Sequence, residues 1–165
     1  MRKPSRQVEL DDIISSQILG DDPEVLALVM RINLALEAIL IELIKSFWTD
    51  EKIYKLSFPA KTKFLFDEGQ IGAADQHAFD LLNDFRNDFA HIFGHRVDLT
   101  ATLKLARDLE DCGVDLSDSV GHYPEAQAAE YYDGLLGVLS EIGWCVLFHA
   151  AYLLNDKGGR DIFSA

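Results

Sequence analysis

The stretch from Asp21 to Trp48 constrains the fold more than any other part of the chain. Asp21-Asp22-Pro23-Glu24 is a helix start written in side-chain chemistry. An Asp caps free backbone N–H groups, Pro suits the first helical position, and Glu complements the helix dipole. The residues that follow include Val25, Leu28, Val29, Ile32, Leu36, Ile39, Leu40, Leu43 and Ile44, but also Leu26, Leu34 and Ile41. At 100° per residue these fall on every side of the helix. A helix apolar nearly all round lies at the centre of its fold or is buried a second time in an oligomer.

The remaining segments read as further helices. Val8 to Leu19 places Leu10, Ile13, Ile14 and Ile18 on one side and stops at Gly20. Thr49-Asp50-Glu51 begins a connection, and Pro59 opens a short helix through Lys61 and Phe64 to Phe66. Asp67-Glu68-Gly69 closes it. A fourth helix spans roughly Ala73 to Phe93 and stops at Gly94; a fifth covers Thr100 to about Asp111. Gly113 to Tyr123 is a loop, and Pro124-Glu125 opens a last long helix to about Leu154. No segment alternates apolar and polar residues as a half-buried strand does. The prediction is an all-α, single-domain helical bundle of about five to six helices. Residues 1–21 form an N-terminal helical segment packing on the core, 22–155 the bundle, and 156–165 a flexible tail. At 165 residues the chain is long enough to bury a core without disulfides or metals.

Charge narrows the partners. Fifteen basic residues face 28 acidic ones, a net charge of −13. Nucleic-acid affinity draws on Lys and Arg against phosphate, so this balance disfavours direct DNA binding; it also disfavours an anionic membrane surface. It suits a protein whose partners are other proteins. Cys112 and Cys145 form no C-x-x-C pair. The first residues lead into acidic sequence, and the apolar run Ile142 to Leu154 is short of the ~20 residues that span a bilayer. Both observations point to the cytoplasm.

The fourth helix carries the most suggestive chemistry, in Arg86-Asn87-Asp88-Phe89-Ala90-His91. A helical projection puts Arg86 at the edge of the apolar face, between Phe79 and Phe93, and Asn83 on the polar side. A half-buried guanidinium needs a partner. The second helix offers Glu37 and Glu42 within apolar runs, so Arg86 is expected to form a structural ion pair with one of them. Asn87 and His91, four apart, share a face; Arg86 and His91 lie ~140° apart and converge only across a second subunit or a bend. His91 and His95 have Ile92 where a zinc-protease helix has Glu, and Asp108, Glu110, Asp111, Asp115 and Asp118 lack calcium-loop spacing. Neither a metal nor a cofactor is expected. Tyr131, Tyr132, Trp144 and Tyr152 read as core or interface material.

Arg86-Asn87-x-x-x-His91 resembles the motif of the HEPN superfamily, small and often dimeric helical domains, many of them metal-independent ribonucleases. Phe64-Leu65-Phe66, then Gly69, Ile71 and Leu82 leading into the same motif, resemble the MltR (mannitol operon repressor) family. Together the resemblance covers about residues 22 to 93. The MltR likeness implies a non-catalytic regulatory or interaction protein, a homodimer with an unidentified protein partner. The HEPN likeness implies instead a metal-independent endoribonuclease. In it His91 would serve as general base or acid near a ribose 2′-hydroxyl, Arg86 would stabilise the phosphate, and Asn87 would orient one of them across a dimer interface. RNA would then need a local basic patch, for which Lys61, Lys63, Arg96, Lys104 and Arg107 are the candidates.

Overall fold

A computed structural model describes residues 23–91 and 96–163, with His91 by its backbone alone. The helix expected over Val8–Leu19, its Gly20 stop and the stop at Gly94 lie outside the described residues. The elements are α1 (Pro23–Lys45), α2 (Phe58–Asp67), α3 (Ala73–His91), α4 (Leu99–Asp111), α5 (Glu125–Tyr131) and α6 (Leu135–Asp156). Single 3-10 turns occupy Glu51–Lys55 and Ser117–His122. Among the described residues there is no strand. The chain is an all-α helical bundle.

Local chemistry explains the helix starts. Ser57 accepts a hydrogen bond from the Ala60 N–H, with Pro59 in the first turn of α2. Asp98 accepts from the Ala101 N–H at 2.7 Å and caps α4. Each cap satisfies a backbone donor that the helix itself leaves without a partner.

Helices α1 and α6 form the spine. Val25 and Val29 share a cluster with Leu139 at one end. Further along, Gly143 lies against Ile32 so closely that a Cβ there would run into its side chain. Beyond the end of α6, Arg160 reaches Glu42. The two helices therefore run side by side in the same direction. Helix α3 runs the opposite way. Its start meets α6 through Asp75 and His149, its middle meets α1 through Leu82 and Asn33, and Phe85 and Phe89 pack by Val25 and Val29. α6 is long and apolar enough to cross a membrane by length and composition. Here Ile142, Val146, Ala150 and Leu154 are in the core of the bundle.

Two expectations need correction. The last helix is not continuous, because it breaks at Asp133 and Gly134, both with positive φ (57° and 87°). Asp-Gly is a turn dipeptide, and that was the available signal. The break lets α5 return to the start of α4, where the Thr100 hydroxyl meets the Glu125 carboxylate. Nor is the chain beyond residue 156 a free tail over its described part. Arg160 holds Glu42 through two bonds of 2.8 and 2.6 Å, Ile162 packs on the core, and the Phe163 ring lies 4.6 Å from that of Phe148.

Candidate functional site

The Arg86 motif occupies the second half of α3. Two asparagines set its surroundings. Asn33 of α1 is buried and donates its side-chain N–H to the Leu82 carbonyl at 3.2 Å. Asn83, placed on the polar side by helical projection, is instead buried. Its Oδ1 accepts from Arg86 Nη2 at 3.3 Å. The Arg86 side chain is half-buried, and its Nε is shielded from solvent without a hydrogen-bond partner.

The expected ion pair is absent. Glu37 accepts from Lys61 Nζ at 2.8 Å, and Glu42 binds Arg160. The reason is register. Asn33 is level with Leu82 in an antiparallel pair, so Arg86 is level with Val29. Glu37 lies about 12 Å further along α1, and Glu42 about 20 Å, at 1.5 Å per residue. Arg86 therefore meets a neutral amide where a carboxylate was expected. Asn87 is half-buried one residue on, and the backbone of His91 closes the helix. The His91 side chain, and with it any convergence of the three motif residues, lies outside the described residues, as does the pairing of His91 with His95.

The basic patch does not assemble either. Lys61 is buried against Glu37 and the Leu56 carbonyl, and Lys63 binds Asp67 at 2.7 Å. Lys104 binds Asp108, and Arg107 donates to the Gly121 carbonyl at 2.8 Å. Only Arg96 of the five has no such contact among the described residues.

Three polar groupings were not visible in the sequence. Asp75 and His149, 74 positions apart, meet at 2.8 Å, and the other Asp75 oxygen accepts from the Gly72 N–H. An Asp–His pair can move a proton, but no hydroxyl or thiol bonds to this His149 among the described residues. Thr62 donates to Asp80 Oδ1 at 2.7 Å, with the Pro59 carbonyl a competing acceptor at 3.1 Å. Burial raises the Asp80 carboxyl above its usual range, against the lowering effect of the Thr62 bond. Cys145 lies 3.8 Å from the Ser117 hydroxyl and 3.5 Å from Glu141. Burial pushes its thiol up, which disfavours the nucleophilic thiolate. Among the described residues no three His, Cys, Asp or Glu side chains converge on a metal-sized space.

The largest unexplained feature is apolar. Trp144, Phe148 and Tyr152 stand four apart on α6 and are 51%, 51% and 69% exposed. Trp144 and Tyr152 are therefore surface residues and not core; Tyr132, by contrast, packs against the core. Phe163 covers part of the stripe, with its ring 6.1 Å from Trp144. No protein-family model, curated protein or solved structure matches the chain.

Proposed function

We propose that this chain is a non-catalytic helical regulatory protein of the MltR kind, not a direct DNA binder, and that it works as a cytoplasmic homodimer that engages a further protein. The observation that carries this reading is the aromatic stripe Trp144-Phe148-Tyr152. Soluble monomers seldom expose a contiguous apolar patch without using it. Aromatic anchors of this kind supply most of the energy of protein contacts. In a two-fold contact the same patch is used by both subunits, so one stripe is enough. With a net charge of −13 on each chain, the subunits repel at long range, and salt should tighten the dimer by screening. Sedimentation of wild type beside Trp144→Ala/Phe148→Ala tests this. The expected result is a dimer that strengthens with salt and dissociates in the variant. A wild type that sediments as a monomer at every salt concentration would refute it.

One observation favours a second reading, the metal-independent HEPN-type ribonuclease with Arg86, Asn87 and His91. Among the described residues the Arg86 guanidinium meets no carboxylate, only the neutral amide of Asn83. A half-buried guanidinium without a counter-charge suits pairing with a phosphate. Against it stand the acidity of the chain and the engagement of four of the five basic residues of the supposed patch. RNA cleavage in excess EDTA by wild type, lost in His91→Ala and in Arg86→Ala, would establish this reading and displace the first.

A further inference from the structure

The chain beyond α6 turns back onto the aromatic stripe and is held there by contacts at the surface. Asp156 ends the helix, and Gly158 turns the chain with a φ of 82°. The Gly159 N–H donates to the Leu154 carbonyl at 2.9 Å. The turn is tight at that point, since a Cβ on Gly159 would lie 2.2 Å from the Leu154 side chain. Arg160 then reaches across to α1, where its Nε and Nη2 each donate to one oxygen of Glu42. Ile162 packs on the core, and the Phe163 ring lies 4.6 Å from that of Phe148 and 6.1 Å from that of Trp144.

Phe163 thus occupies a place that a ring from another molecule would need. It meets two rings of the stripe, and these two are the less exposed: Trp144 and Phe148 at 51% each, against 69% for Tyr152. A second copy cannot cover the same part of Trp144 and Phe148 while Phe163 stays. The hold on Phe163 is light. The Arg160 and Glu42 side chains are 70% and 39% exposed. An ion pair in that setting contributes little and is screened by salt. Phe163 itself is 42% exposed.

We propose that residues 158–163 are an autoinhibitory strap. Closed, the strap sets Phe163 on the stripe and weakens self-association; open, it yields Trp144 and Phe148 to a second copy of the chain. This regulation rests on the homodimer reading. The apparent affinity falls with the fraction of chains that are open. Both subunits must open to form one two-fold contact, so that fraction enters squared.

The test is the dimer dissociation constant of the full chain by sedimentation, wild type beside Phe163→Ser and Arg160→Gln. Both side chains are exposed, so neither change disturbs the core. Phe163→Ser should tighten the dimer about fivefold and Arg160→Gln about threefold. The second result has a diagnostic sign. Arg160→Gln takes the net charge from −13 to −14, which by repulsion alone would loosen the dimer. Its gain should also shrink as salt rises, because salt opens the wild-type latch as well, whereas the gain from Phe163→Ser should persist. A dimer that Phe163→Ser weakens would make Phe163 part of the interface and overturn the strap. An unchanged constant in either variant would overturn it too, and in both cases a wild-type dimer lost in Trp144→Ala/Phe148→Ala would leave the homodimer reading standing. Monomers throughout, in wild type and both variants, would overturn that reading and the strap with it.

Discussion

Two cations enter the flank of α1, and the fold treats them in opposite ways. Lys61 is 1% exposed and receives a carboxylate, Glu37, and the Leu56 carbonyl. Arg86 is half-buried and receives one neutral amide oxygen from Asn83. The difference follows the desolvation each cation suffers. A fully enclosed ammonium must be neutralised locally, because an unpaired buried charge costs several kcal/mol. A guanidinium with one edge open can leave much of its charge to solvent. The first arrangement is structural and closed. The second leaves a cation without a counter-charge, and the ribonuclease reading rests on that.

The largest effect should come from breaking the closed pair. Lys61→Met leaves Glu37 beside an apolar side chain and should cost about 3 kcal/mol, near the lower end for broken buried pairs because Glu37 is partly exposed. Urea unfolding reads it directly. Restoring neutrality with Lys61→Met/Glu37→Leu should regain most of the loss; a double variant as weak as the single would mean that the cost lay in packing.

Arg86→Met should cost less, about 1–2 kcal/mol, because it strands only the buried Asn83 oxygen and no carboxylate. The same urea series measures it. A loss as large as that of Lys61→Met would show that Arg86 holds the fold after all, and the contrast between the two cations would collapse.

Asp80 gives the smallest effect and a sign of its own. Burial raises its carboxyl, so the folded state favours the protonated form. Its stabilising contribution is present below the unfolded value of ~3.9 and is lost as pH rises through the folded value. Asp80→Asn keeps the shape, can donate to the Thr62 hydroxyl and has no proton to lose. It should raise stability by up to about 1 kcal/mol at pH 7, and the gain should vanish near pH 3. A variant less stable than wild type at pH 7 would mean that the ionised Thr62–Asp80 bond outweighs desolvation.

Much of the fold was legible in the order of residues. Pro23, Ser57-Phe58-Pro59 and Asp98 mark helix starts through local chemistry, and the observed bounds of α1, α2 and α4 fall within a few residues of expectation. The break before α6 was written at Asp133-Gly134 but hidden by apolar residues on both sides. The candidate site was legible in its parts and not in its pairings. Arg86 sits at the edge of the apolar face as its angle implies, yet its partner is Asn83 and not Glu37 or Glu42. Glu37 went to Lys61 and Glu42 to Arg160, across 24 and 118 positions.

By itself the sequence determined where helices begin, which of their faces are apolar, and that the central one has no polar side to spare. Those properties depend on neighbours within a turn or two. Only the tertiary structure decided which charge meets which. A slide of α3 along α1 by two helical turns would bring Arg86 level with Glu37 and leave every local rule satisfied. The bond from Asn33 to the Leu82 carbonyl and the contact of Asp75 with His149 exclude that slide, and both join residues far apart in the chain.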